Sequence, residues 1–342
     1  MTGAVFRLAW GRPSYLTRLF NHINEVKLSR NMNLTSHAVC PGELIDGQSS
    51  TRSRQLVAMR HAGKGKPLFC IHPSGGDIGI YRKLASRIGP ELSVMGIQSR
   101  LMCGAESEFS NLEEMAFDYA CLVKEHQPVG AIRLLGFSLG GFLASLMARE
   151  LQQAGRSVAF LGLIDSDPNW TTATETSRQE LCLRLTQVFT KFQSIGVMRE
   201  KPLEIVQRDV AILVNSCMGN HHISPTEVMA NTIAMGYVPS RQKDSDLLLK
   251  FTNTFLTHCR LLKDFKPPIV NCPLYLWWPS EATPDQSQPW ARKANLTVSE
   301  SVIEGSHFSI MRGAAVRNLA EELEAAIAHE DALATRNHAS RA

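Results

Sequence analysis

The sequence predicts an α/β fold: a mostly parallel sheet covered by helices on both faces, with a helical insertion in its second half. Three observations predict it. Short apolar runs alternate with amphipathic stretches along most of the chain. A glycine-framed serine, Gly136-Phe137-Ser138-Leu139-Gly140, stands where one such run passes into one such stretch. The segment from Asp165 to Pro273 is too long, and too rich in helical pattern, to be a single crossover.

From Gly47 through Gly65 the composition is polar and loop-like, so regular structure is expected to begin near Pro67, with the domain boundary there or slightly before, around Gln55. Leu68–His72 reads as a short buried strand, Ile80–Ile88 as a helix and Leu92–Ile97 as a second strand. Ser110 and Glu113 have the spacing of a capping box, which satisfies two orphan N–H groups at a helix start, and they open a helix to His126. A strand through Ile132 ends at Phe137, and a helix from Leu139 to Ala154 follows. Its residues Phe142, Leu143, Leu146 and Met147 recur at spacings of three and four. Val158–Ile164 is a buried strand ending at Asp165, Pro273–Trp278 another and Leu296–Ile303 the last, before a closing helix from Ala314 to His329. Within the insertion, about 170–268, one helix is expected from Thr176 or Ser177 to Phe192. A second follows the capping box Ser224-Pro225-Thr226-Glu227, and a third runs from Asp244 or Ser245 to Phe265. Residues 56–330 thus form one domain, preceded by a poorly ordered extension, 1–55, and followed by a tail, 331–342.

With 342 residues, 44% of them hydrophobic and 20% charged, the chain has the composition of a globular protein with a sizeable core. A net charge of +4, from 36 basic and 32 acidic residues that are interspersed, gives no basic stripe for nucleic acid. Eight cysteines without a Cys-x-x-Cys pair read as reduced, mostly buried thiols. No apolar run approaches the roughly 18 residues a bilayer requires, and no compact apolar leader opens the chain, so a cytoplasmic location is expected. Met1–Arg30 carries Arg7, Arg12 and Arg18 with no acid before Glu25, a pattern that organelle-targeting helices share. The reading adopted is an extension, with translation able to begin at Met32.

A serine hydroxyl is a weak nucleophile at neutral pH. A strand-to-helix elbow helps by exposing Oγ and aiming the next backbone N–H at the reacting carbonyl oxygen. Glycines at 136, 140 and 141 suit a turn so tight that side chains on its flanks would collide. Ser138 is therefore the candidate nucleophile. It needs a base, and the base an orienting acid, in the chain order Ser, acid, His. His307, within Glu304-Gly305-Ser306-His307-Phe308, follows the last strand and precedes the closing helix, which is the place for the base. Of the other histidines, His126 ends a helix, His221, His222 and His258 lie in the insertion, His338 is in the tail, and His72 before Pro73 suits a structural hydrogen bond. No His-x-x-x-His spacing exists, and no metal is assigned.

Asp165 and Asp167 follow one strand end, and Glu281 and Asp285 the next. Asp165 leads as the acid because a strand terminus fixes a side chain better than a loop does. Two backbone N–H groups are needed for an oxyanion hole, those of Leu139 and of Ser74, the latter in His72-Pro73-Ser74-Gly75-Gly76.

Taken in order, Pro67–Gly76, Leu134–Gly141, Leu163–Ser166 and Gly305–Phe308 resemble the motifs of the thioesterase domains that end nonribosomal peptide and polyketide synthetases, across roughly Leu56–Ala328. The resemblance implies the α/β-hydrolase fold with the insertion as a substrate lid, and it supports Asp165 as the acid. It implies a serine thioesterase that accepts an acyl or peptidyl chain from the phosphopantetheine arm of a carrier protein onto Ser138. Release then follows by hydrolysis or by cyclisation. No cofactor is implied beyond that arm, which the partner carries. The first 55 residues hold no carrier-type Asp-Ser-Leu motif, so the chain reads as a separate enzyme. An acyltransferase passing the acyl group to another carrier or alcohol, and a carboxylesterase, would use the same three residues and stand as alternatives.

Overall fold

The computed structural model describes residues 52–61, 65–105, 107–168, 175–194, 199–218, 235–236, 242–262, 265–281, 288–307 and 309–339. Within them the strands are β1 (Leu56–Arg60), β2 (Leu68–Ile71), β3 (Val94–Ile97), β4 (Ile132–Phe137), β5 (Val158–Ile164), β6 (Leu274–Pro279) and β7 (Val298–Ile303). The helices are α1 (Arg82–Arg87), α2 (Leu112–His126), α3 (Leu139–Gln153), α4 (Glu175–Ser194), α5 (Leu203–Met218), α6 (Gln242–Leu261), α7 (Gln288–Ala291) and α8 (Ala315–Ala339).

The seven strands make one sheet in the order β1-β3-β2-β4-β5-β6-β7. Every neighbouring pair is parallel except β1 with β3. Residues of β2 and β4 are buried throughout, as expected of central parallel strands covered on both sides. On one face β4 and β5 pack with α2 and α3 through Leu134, Leu161, Met115, Tyr119, Leu143 and Met147. On the other, Leu68, Leu135 and Phe160 meet α1 and α8 through Leu84, Leu319 and Leu323. The α/β-hydrolase arrangement expected from the sequence is the one observed. It gathers the carboxyl ends of β2, β4, β5 and β7 on one rim of the sheet, where loops are free to carry chemistry.

The structure differs from the sequence reading at several ends. Residues 56–60 form an antiparallel edge strand, although regular structure was expected only from Pro67. All five are half-buried, so no clean alternation marks them. Arg52 pairs with Asp118 and Glu125 of α2, and the Gln55 carbonyl accepts from Gln98 N, so ordered contacts begin inside the expected extension. The helix to His126 is capped by Asn111, not Ser110: Asn111 Oδ1 accepts from Glu114 N at 2.8 Å, and the Glu114 carboxylate accepts from Ser110 N at 3.1 Å. The cap lies one residue further along because Asn111 has the extended backbone, and the Glu114 carboxylate reaches back past it to the Ser110 N–H. The closing helix continues to Ala339 through most of the expected tail. Arg133 holds Asp331 at 2.5 Å and Tyr275 holds Glu330 at 2.7 Å, fixing that extra length to β4 and β6. Ile80–Ile88 divides into a 3₁₀ turn, Gly79–Tyr81, and α1.

In the insertion, α5 was not foreseen, and the Ser224-Pro225-Thr226-Glu227 box lies outside the described residues. Leu185 and Phe189 of α4, Val206, Val210 and Leu213 of α5, and Phe255 and Leu256 of α6 make a small core of their own. Among the described cysteines, Cys70, Cys103, Cys121, Cys259 and Cys272 are buried and Cys182 is partly exposed. No described helix is long and apolar enough to cross a membrane.

Candidate active site

Ser138 joins β4 to α3 with φ 57° and ψ −125°, a backbone that non-glycine residues rarely adopt. Its neighbours hold it there. Ser138 N donates to the Ile164 carbonyl at 2.9 Å, and the Ser138 carbonyl accepts from Gly141 N at 3.0 Å and from Ser166 Oγ at 2.8 Å. The glycines answer to close approach: a Cβ at Gly136 would collide with the Gly140 carbonyl, and one at Gly141 with the Ser166 side chain. Leu139 is the first helical residue after the serine, where an N–H has no acceptor within the helix.

Asp165 follows β5 and also has positive φ, 44°. Its N–H donates to the Trp277 carbonyl at 2.8 Å, which sets the residue at the end of the ladder between β5 and β6. His307 stands in the loop after β7. There Gly305 N donates to Ser280 Oγ, Glu281 N to the Gly305 carbonyl, and Ser306 N to Ser309 Oγ, so the loop is tied to β6 and to itself. His307 Nδ1 donates to Asp165 Oδ2 at 2.5 Å, and the imidazole stacks on Phe137, the residue before Ser138, with centroids 4.7 Å apart. Donation from Nδ1 leaves Nε2 with the lone pair in the neutral ring, the form a base needs.

Of the other acids weighed for this role, Glu281 is exposed at a turn and Asp285 lies outside the described residues. Ser74 is buried in the loop after β2, on the same rim, and its carbonyl accepts from His258 Nδ1 at 2.9 Å. His72 has the structural place expected of it. Its Nδ1 donates to the Pro73 carbonyl and its Nε2 accepts from Tyr119, each at 2.8 Å, so the ring is neutral. Burial, reinforced by the neighbouring His258 ring, pushes its pKa down to about 3.

Residues the sequence reading missed surround this group. Tyr81 Oη donates to the Ile71 carbonyl and accepts from Phe137 N, bridging β2 and β4 just below their loops. Ser166 lies under the elbow, and its carbonyl accepts from Trp290 Nε1 at 2.7 Å. His258, an insertion residue in the sequence, reaches the Ser74 loop and Glu108. Nothing in the linear sequence marks Tyr81 or Glu108; Ser166 adjoins Asp165 within the quoted Leu163–Ser166 motif.

Residues 66–327, about three quarters of the chain, match the family model described as Thioesterase domain. The chain belongs to this family. The thioesterase is accordingly a serine-type hydrolase. Among its relatives, the Dimodular nonribosomal peptide synthase of Bacillus subtilis (strain 168) is 37% identical over 123 residues, 36% of this chain and 5% of that protein. Enterobactin synthase component F of Escherichia coli (strain K12) is 36% identical over 134 residues, 37% of this chain and 10% of that protein. The thioesterase therefore corresponds to a small part of the curated relatives it matches. Its fold is that of the NocB thioesterase domain in covalent complex with a fluorophosphonate nocardicin G analog, with TM-score 0.55 and 19% identity over 80% of this chain and 99% of that one. The type II thioesterase BorB from the borrelidin biosynthetic cluster is similarly alike, with TM-score 0.54 and 18% identity over 79% of this chain and 97% of that one.

Proposed function

We propose that the thioesterase releases an acyl or peptidyl chain from the phosphopantetheine arm of a carrier protein through an acyl-Ser138 intermediate, in nonribosomal peptide or polyketide biosynthesis. The observation that carries this reading is the 2.5 Å bond from His307 Nδ1 to Asp165 beside the strained elbow serine. Asp165 keeps Nε2 as the basic nitrogen and stabilises the imidazolium once that nitrogen takes the Ser138 proton. Ser138 Oγ attacks the thioester carbonyl, and the oxyanion accepts hydrogen bonds from the N–H groups of Leu139 and Ser74. The tetrahedral intermediate collapses with cleavage of the C–S bond, and the imidazolium returns its proton to the departing sulfur, giving the free thiol arm. A thioester is already activated, so acylation asks more of proton transfer and oxyanion stabilisation than of leaving-group assistance. The same histidine then activates water, for hydrolysis, or an internal nucleophile of the chain, for cyclisation.

The reading needs no cofactor beyond the arm that delivers the substrate, and it takes residues 56–330 as one catalytic unit with the lid at about 170–268. Its partner is a carrier protein, in keeping with relatives that are synthetases. The test is intact-protein mass spectrometry after mixing with acyl-loaded carrier proteins. A mass increment of the acyl group is expected on the wild type and none on Ser138→Ala. Turnover of carrier thioesters by Ser138→Ala at the wild-type rate, or a wild type that hydrolyses free esters and ignores every pantetheine thioester, would overturn the reading.

A further inference from the structure

A buried histidine–glutamate pair outside the reacting group grips the loop that carries Ser74. His258, in α6 of the lid, and Glu108, in the loop between β3 and α2, have side chains only 0% and 2% exposed and meet Nε2 to Oε2 at 2.7 Å. The other ring nitrogen, Nδ1, donates to the Ser74 carbonyl at 2.9 Å. Each ring nitrogen therefore faces an oxygen acceptor. Ser99 Oγ donates to the same Glu108 oxygen at 2.7 Å, and the neutral His72 ring stacks on His258 with centroids 5.0 Å apart. Burial pushes the Glu108 pKa up, but the His258 ring and Ser99 pull it below the usual carboxylate value overall.

Burying a histidine together with a carboxylic acid away from water is costly, and apolar packing would join lid to body at lower cost. Stability is thus a weak account of the pair, whereas its position suggests another. The Ser74 carbonyl shares its peptide plane with the Gly75 N–H, while the Ser74 N–H shares one with the Pro73 carbonyl, which accepts from His72 Nδ1 and from Gly76 N, and the proline ring fixes φ at 73. A fixed Ser74 carbonyl therefore leaves Ser74 little rotational freedom.

We infer that the His258–Glu108 pair is a positioning device that fixes the Ser74 peptide for the oxyanion hole, making a lid helix a structural member of the acylation site. The inference rests on the function proposed above. Its test compares two changes at position 258 in a Glu108→Gln background, which removes the buried charge. His258→Asn puts an amide nitrogen near the former Nδ1 and keeps a donor for the Ser74 carbonyl. His258→Gln reaches toward the former Nε2 and leaves that carbonyl without it. On an acyl-pantetheine thioester the Gln variant should have a kcat at least about tenfold below the Asn variant, with KM within about twofold. Equal kcat in the two folded variants would overturn the inference. If either double variant fails to fold, the single His258→Asn and His258→Gln changes carry the same comparison. Loss of the fold in those too would assign the pair to stability and end the proposal. Should the wild type be inert toward thioesters, the function is misread, and the comparison is then made by the rate of fluorophosphonate capture at Ser138.

Discussion

The hydroxyl of Tyr81 and the amide of Phe137 meet at 2.7 Å, one residue before the strained Ser138. The same hydroxyl donates to the Ile71 carbonyl at 2.7 Å, so a single phenol spans the ends of the two strands whose loops supply the serine and the expected oxyanion donor. Tyr81→Phe would leave the Phe137 N–H buried without its partner. Such an orphan costs about 1–3 kcal/mol. A lower urea midpoint at unchanged m-value is expected, accompanied by a fall in kcat larger than any change in KM. Unchanged kcat in the folded variant would confine Tyr81 to stability.

Asp165→Asn is a clean probe of the acid, because asparagine tolerates the positive φ that this position imposes. The amide retains the shape but can donate to His307 Nδ1, which favours the wrong tautomer. A loss of about 10⁴ in kcat is expected if Asp165 orients the base. Stopped thioester assays at matched enzyme loading check it. Full activity in Asp165→Asn together with a dead Asp285→Asn would move the role to the other strand end.

Gly141 and Ser166 should be energetically coupled. A methyl group at 141 would strike the Ser166 side chain, which also donates to the Ser138 carbonyl. Gly141→Ala is expected to destabilise the fold by about 1–3 kcal/mol through overpacking. In a Ser166→Gly background the same change should cost at least about 1 kcal/mol less. A double-mutant cycle by chemical denaturation measures the difference, and strict additivity would refute the contact.

The buried neutral state of His72 should appear in the acid limb of stability. Its folded pKa, about 3, lies below the unfolded value, so the unfolded chain binds more protons between the two and stability falls as pH drops from about 6.5 toward 3. His126, lowered by burial, acts in the same direction. Glu108, also lowered, begins to lose its contribution only near the ordinary carboxylate range. Between pH 6 and 5 His72 should contribute a loss of up to about 1.4 kcal/mol per pH unit. His72→Gln should remove that part of the slope in urea titrations at pH 7, 6 and 5. Identical slopes would take His72 out of the account.

Much of the candidate site was legible because its signals are local. The spacing around Ser138 encodes a collision that only glycine avoids, Asp165 directly follows the apolar run Val158–Ile164, and His307 stands between the last strand and the closing helix. What escaped depends on distant packing. Strand β1 is half-buried on an edge, so hydropathy does not separate it from the polar tract before it. The length of α8 past His329 is fixed by partners in β4 and β6, far away in the sequence. His258 looked like any histidine on an insertion helix, since Glu108 and Ser74 approach it only in the folded chain.

The separate core shared by α4, α5 and α6 has a consequence for engineering. Side chains such as Phe189, Val210 and Leu256 satisfy one another rather than the sheet, so the insertion resembles an exchangeable cassette more than a fixed wall. A graft between family members would need to carry over the contacts with the body, among them Lys250 on the Met102 carbonyl, His258 on Ser74, and Phe265 against Phe142 and Trp290, for the host scaffold to accept a new cover.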